Sequence, residues 1–410
     1  MRVKFVFIYI IGNYSPNFSF FLPDLSTPRT MTSNAQNTDQ QLLFSGRLTA
    51  VDATRGTVMV LMALDHASHV FNAGRFVRDS TAVWLPGTEI PIVQFLLRAI
   101  THFGAPTFVF LAGLVLALSI AKRQAMGESE RAIDGFLFKR GLFILLLDHL
   151  WMSIGYGTSF LFQVMYAIGA SFCCMIGLRR LDYRFLLVIG LAIILLDEVL
   201  AGLALWAGGG RPGFFGALLI TGGSIINKAF VLYPLLPWLA FMILGWVCGR
   251  YMLNRKGASP IGFFIKVGLG SWIVFVVVRG INGYGNMALL RDNFSFVQWL
   301  HVSKYPPGLS FASLELGLMF LLLAIFWAWY QKRPSSPANP LLVFGRAPLF
   351  FYVIHVHLLA AAAHLLGLHK TGGLQETFAA TIMLLMVLYP FCRWYGQIKQ
   401  TRPRGILHYL

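Results

Sequence analysis

Charge is what this sequence has least of. Only 12% of its 410 residues are Asp, Glu, Lys or Arg, against about 25% in a soluble globular domain, which excludes a water-solvated surface over most of the chain. Acids are the scarcer sign: 16 Asp and Glu stand against 33 Lys and Arg, a formal net charge of +17. Cysteine is scarce too. Cys173, Cys174, Cys248 and Cys392 all lie in apolar segments, without zinc-ligand spacing or a secreted disulfide framework, so they read as small buried hydrophobes. The apolar runs lack period-two alternation, which excludes a transmembrane β-barrel. The two halves lack paired broken helices, the signature of an inverted-repeat transporter. No helix carries a haem-spaced histidine pair, and no cluster has metal-ligand spacing, so no metal is expected. No basic run with interleaved aromatics rises above the lysine and arginine usual in cytoplasmic loops, so no nucleic-acid partner is expected.

What the chain does have is apolar length. Hydrophobic residues make up 57% of it and the mean hydropathy is +0.67. The runs approach the ~20 residues that cross a bilayer, and inside lipid a continuous run must be helical to pair its backbone. The fold class expected is all-α: a polytopic transmembrane helical bundle of about ten spans, surrounded by membrane lipids. The spans fall near Thr49–Phe71, Val93–Ala121, Leu137–Tyr156, Ser159–Leu178, Phe185–Ala207, Phe230–Tyr251, Ile261–Val278, Leu309–Tyr330, Leu342–Leu366 and Thr377–Tyr395. Loops after even-numbered spans carry the larger share of Lys and Arg, for example Lys122, Arg123, Lys139 and Arg140, which places both termini in the cytoplasm. Residues 1–45 read as a largely disordered N-terminal extension, in which Met31 reads as the natural start and residues 1–30 as an upstream, non-native extension or, alternatively, an interfacial anchor. Residues 46–398 form the transmembrane domain and 399–410 a basic cytoplasmic tail. Two outer loops, "GGGRPGFFGALLITGGSIINK" and "GINGYGNMALLRDNFSFVQWLHVSKYPPG", are too long and apolar for simple connectors. They suit either a lid or segments lying on the membrane.

Ionisable groups inside a span are costly and mark function. At ~1.5 Å of rise per residue, Asp65 and His66 of the first span, His102 of the second, Asp148 and His149 of the third, Asp197 and Glu198 of the fifth and His355 of the ninth share one outer depth. One outward polar cavity is therefore expected, with Asp148 or Asp197 available to orient His66. Arg55 and Arg346 sit at the opposite end with Lys139 and Arg140, where an anion from the cytoplasm could dock. Asp52 and Arg55, i and i+3, can pair. Arg55 and His66 are eleven residues apart, on nearly one helix face and separated by ~16 Å. Histidine suits a base near neutral pH, or a group that is itself acylated; His66 and His102 are the candidates.

Five stretches in order, "RLTAVDATRGTVMVLMALDHASHVF", "THFGAPTFVFLAG", "YPLLPWLAFMILG", "KYPPGLSF" and "NPLLVFGRAPLFFYVIHVHLL", resemble the heparan-α-glucosaminide N-acetyltransferase catalytic-domain family, in its bacterial integral membrane branch, within the transmembrane acyltransferase superfamily. The resemblance implies acyl transfer from cytosolic acyl-CoA, most simply acetyl-CoA as donor substrate, to a hydroxyl or amine of a sugar or envelope glycan at the outer face of a bacterial inner membrane. It implies a catalytic histidine: His66 matches the superfamily's Arg–His spacing, whereas "NAGRFVRD" has no histidine where the animal lysosomal branch places one. Arg55, Arg346, Lys139 and Arg140 are then the acyl-CoA ligands, and Asp65, Asp148, His149, Asp197, Glu198 and His355 support the cavity. A homo-oligomer is compatible with these features. The alternative is a solute transporter using the same polar cavity.

Overall fold

The computed structural model describes residues 33–156, 160–226, 229–255, 259–333 and 335–401, with side chains described from Thr49 onward except at 226 and 400. The expected leader, residues 1–30, and the end of the expected tail, residues 402–410, lie outside the described residues. The chain divides into two units, residues 1–42 and 43–410; the helical bundle belongs to the second.

Helices dominate: α1 (Ser33–Phe71), α2 (Ile92–His102), α3 (Gly104–Ala125), α4 (Glu130–Leu147), the single turn α5 (Ser153–Gly155), α6 (Val164–Leu178), α7 (Tyr183–Ala207), the turn α8 (Phe214–Gly216), α9 (Leu235–Asn254), α10 (Ile261–Ile281), the short α11 (Phe296–Leu300), α12 (Leu309–Lys332), α13 (Pro340–Arg346), α14 (Pro348–Leu365) and α15 (Leu374–Thr401). Among the described residues, seven helical segments are long and apolar enough to cross a membrane. The protein is a polytopic helical integral membrane protein. Each expected span overlaps a helix or an interrupted run of helices, and the fourth and sixth also take in short strands.

The breaks have local causes. Pro348 supplies no N–H, so α13 and α14 stay separate at Ala347. The helix after α4 loosens into a π-helical turn, Asp148–Met152. There Asp148 turns away to accept hydrogen bonds from the backbone N–H of Gln163 (2.9 Å) and Tyr166 (3.2 Å), capping α6.

The all-α expectation needs one amendment. β1 (Phe160–Phe162), β2 (Gly223–Ile226) and β3 (Ala229–Val231) form a small sheet in the order β1-β3-β2. Phe160 pairs in parallel with Ala229, and Gly223 pairs antiparallel with Val231. The expected fourth and sixth spans begin too early for this reason: Phe160 and Phe230 are strand residues, and the helices start at Val164 and Leu235. Apolar composition alone does not separate such strands from helix starts.

The core centres on α3 and α9, with α10 packed on α12, α4 on α6 and α7 on α9. A Cβ at Gly113 would lie 2.0 Å from Met242 O, and one at Gly245 1.9 Å from Phe110 O, so α3 and α9 touch backbone to backbone. Phe110, Trp238 and Phe241 are fully buried around this contact.

Candidate active site

Two cavities lie along α1, one at Arg55 near its middle and one at His66 toward its C-terminal end. The smaller, about 240 Å³, is lined by Arg55, Arg140, Arg346 and Lys399, with apolar walls that include Phe108, Ala112 and Phe172. Its cations come from four helices: α1, α4, α13 and α15. What brings Arg55 and Arg346 together is a glycine crossing. A Cβ at Gly56 would stand 1.9 Å from Leu341 O, and one at Gly345 1.8 Å from Asp52 O. Only two residues without side chains allow α1 and α13 to cross this closely. The expected pairing of Asp52 with Arg55 gives way here: Asp52 Oδ2 accepts from Arg346 Nε at 3.4 Å. Arg55 makes no ion pair among the described residues. Lys139 is exposed and does not line this cavity. Lys399, expected in a free tail, sits on α15 and does line it.

The larger cavity, about 710 Å³, lies at the His66 end. His66 is held by a directional chain. His355 Nδ1 faces the carbonyl oxygens of Tyr352 (2.7 Å) and Phe351 (3.1 Å), so in the neutral ring that nitrogen carries the proton. His355 Nε2 is then an acceptor and receives a hydrogen bond from His66 Nδ1 at 2.6 Å. That leaves His66 Nε2 as an acceptor, and the Tyr156 hydroxyl donates to it at 2.9 Å. One set of tautomers satisfies every member, with the basic nitrogen of His66 turned toward Tyr156 at the cavity wall.

Beside it runs an ionic network. Asp65 accepts from Arg98 Nη1 (2.8 Å), Arg75 Nη2 (2.9 Å) and Thr101 Oγ1 (2.8 Å). Asp79 Oδ2 accepts from Arg98 Nη2 (2.6 Å), Arg98 Nε (2.8 Å) and His102 Nε2 (2.9 Å). Burial opposes ionisation of Asp79, but Arg98 and the His102 hydrogen bond outweigh it and hold the carboxyl well below the usual range. His102 itself does not line the cavity; it is buried behind Asp79, with Phe311 against its ring.

The two cavities meet at a thin partition. Tyr352 and Val164 line both, and the Tyr352 ring lies edge-on to His66 at 6.1 Å.

A model of the catalytic domain of heparan-alpha-glucosaminide N-acetyltransferase matches residues 47–276, more than half of the chain. The chain belongs to that family. No curated protein matches it. Membership makes this a member of a membrane acetyltransferase family. The matched residues include Arg55, His66, Asp79, Arg98, His102, Arg140 and Tyr156; Arg346 and His355 lie beyond them.

Within this family member, the expected polar cluster resolves into separate tasks. Asp65 and His66 line the larger cavity and His355 backs His66. Neither Asp148 nor Asp197, expected as partners of His66, reaches it. Asp148 caps α6, and Asp197 is buried on α7 with no hydrogen-bond partner. His149 bonds to Leu145 O and packs on Phe162. Glu198 accepts from the backbone N–H of Gly285 (2.5 Å) and Ala288 (3.2 Å), tying down the second long loop. Both long loops wall the larger cavity, through Pro212, Thr221 and Gly222 on one side and Met287, Lys304 and Tyr305 on the other. Sequence reasoning missed Tyr156, Tyr352 and Asp79. Asp79 had a signal: an acid in the first outer loop, one residue after Arg78, on a chain poor in acids. Among the described residues no group of three or more His, Cys, Asp or Glu is placed to hold a metal.

Proposed function

We propose that this protein transfers an acetyl group from cytosolic acetyl-CoA, bound in the smaller cavity, to a hydroxyl or amine of a sugar or envelope glycan in the larger one. The observation that carries this reading is His66, held by His355 with its basic nitrogen on Tyr156 in an acceptor-sized cavity that shares Val164 and Tyr352 with a four-cation cavity. The phosphates of coenzyme A face Arg55, Arg140, Arg346 and Lys399, and the thioester arm passes Val164 and Tyr352 to reach His66. Arg55 and His66 are ~16 Å apart along one helix.

The acceptor displaces the Tyr156 hydroxyl from His66 Nε2. His66 takes the acceptor proton as its oxygen attacks the thioester carbon. A C–O bond forms, the C–S bond breaks, and the proton on Nε2 passes to the coenzyme A sulfur. His355 holds the His66 ring in the reactive tautomer. Asp79 fixes His102 and Arg98, and Arg98 fixes Asp65, so His102 acts on the wall of the site and not on the reacting atoms. The loop charges support ten spans with both termini in the cytoplasm, which puts the cation cavity on the cytoplasmic side.

In purified protein, His66→Ala and His66→Gln lower acetyl-CoA turnover by about 10²–10⁴-fold, the contribution of a positioned general base, while acetyl-CoA binding persists. Arg55→Ala does the reverse, raising the acetyl-CoA KM. Full turnover in His66→Ala removes the assignment.

A further inference from the structure

One cation of the larger cavity has no part in this acetyl transfer. Lys304 lines the cavity and is 3% exposed. Its neighbours Arg75 and Arg98 are consumed by Asp65 and Asp79. Lys304 makes no ion pair and its ammonium no hydrogen bond among the described residues. Its ammonium lies 5.4 Å from the centre of the Tyr305 ring. Asp65, Asp79 and Glu315 are within electrostatic reach of Lys304, but none forms an ion pair with it among the described residues, and Asp65 and Asp79 are already held by Arg75 and Arg98. An ammonium that faces the cavity with no direct ion-pair partner is available to an anion that arrives with the ligand.

The rim of the same cavity is apolar and exposed. Leu205 (38% exposed), Phe230 (45%), Val83 (52%) and Val77 (56%) line the cavity and also reach the surface. Leu205 lies in the last turn of α7, one of the membrane-crossing segments. Next to the rim are Trp206 (82% exposed), Phe214 (52%) and Phe215 (71%), the aromatic side chains of a membrane–water interface. A mouth serving a free sugar in water has no use for this surface. A mouth at the level of the lipid headgroups does.

We propose that the acceptor is an amphipathic membrane lipid whose headgroup hydroxyl or amine adjoins a phosphate. It enters sideways past Leu205 and Phe230, sets its phosphate on Lys304 and presents its hydroxyl to His66. This rests on the acetyl-transfer reading of the same cavity.

Two measurements on the full-length protein test it. The first needs no turnover: binding of phosphatidylglycerol with a fluorescent chain, beside the uncharged diacylglycerol carrying the same chain. Phosphatidylglycerol binds more tightly, and Lys304→Ala weakens it by about tenfold or more, with Lys304→Arg retaining most of the affinity. Equal binding of the two lipids, or no effect of Lys304→Ala, overturns the proposal. In the second, protein in nanodiscs of native membrane lipid receives acetyl-labelled acetyl-CoA together with water-soluble glucosamine. Label in an organic-soluble, phosphorus-containing product supports the proposal, with Lys304→Ala raising the KM for that lipid and leaving kcat within about twofold. Label only in water-soluble sugar overturns it. A lowered kcat with unchanged KM assigns Lys304 to the reacting atoms and also overturns it. If His66-dependent consumption of acetyl-CoA is absent in every condition, the acetyl-transfer reading fails, and the lipid-binding result stands or falls by itself.

Discussion

At the scale of the residue, the informative group is the ring behind the base. His66 was legible from the sequence because an ionisable residue in an apolar run is conspicuous, and its spacing from Arg55 set it on the same helix face. Its partner was not legible. His355 is 289 positions away in the chain, and nothing local separates it from Asp148 or Asp197, which stand at a similar depth. The difference lies in hydrogen-bond satisfaction: Asp148 is occupied by the N-terminus of α6, while His355 has one nitrogen fixed by its own helix and the other turned to His66. The role of His355 in setting the His66 tautomer makes it a positioning residue. His355→Ala is expected to lower kcat by about 10–100-fold, the usual effect of losing a partner that orients a reactive ligand. The acetyl-CoA KM stays within about twofold, and added imidazole restores part of the rate. A merely structural role predicts a fall in thermal stability and no rescue.

At the scale of the element, the crossing of α1 and α13 decides whether the cation cavity exists. Apolar runs made the helices legible, since length and hydropathy are local properties. The crossing was not, because a glycine packed against a distant helix looks like a glycine in a turn. The same limit hid the β1-β3-β2 sheet, whose strands are three or four residues long and gain their pairing from distant partners. Gly345→Ala puts a methyl group where Asp52 O now sits, and α1 and α13 must part. The expected cost is about 1–3 kcal/mol of stability, with acetyl-CoA affinity falling by about tenfold as Arg55 and Arg346 separate. Thermal unfolding and acetyl-CoA binding in detergent check both. Gly396→Ala on α15, where the added methyl meets nothing within 4 Å, is the control: it leaves acetyl-CoA affinity unchanged and does not lower stability, since Ala favours the helix over Gly.

At the scale of the whole molecule, two cavities back to back distinguish acetyl transfer from solute transport. A transporter moves its cargo through the partition; a transferase passes only the acetyl group. Sealed proteoliposomes with acetyl-CoA on the Arg55 side are expected to acetylate an acceptor on the other side and to accumulate no free sugar. Sugar uptake without acetyl-CoA supports the transporter instead. The thin wall made by Tyr352 and Val164 also has an electrical meaning. The acetyl group replaces a proton on the acceptor oxygen, and that proton replaces the acetyl group on the coenzyme A sulfur, so the charge on each side of the wall is the same before and after turnover. One net charge crossing the full membrane would couple the rate to voltage by ~2.3 kcal/mol per 100 mV; here none crosses. A potential imposed with valinomycin is expected to leave turnover unchanged, and a rate that follows the potential would show a net charge moving through the wall. The membrane voltage neither drives nor opposes the exchange.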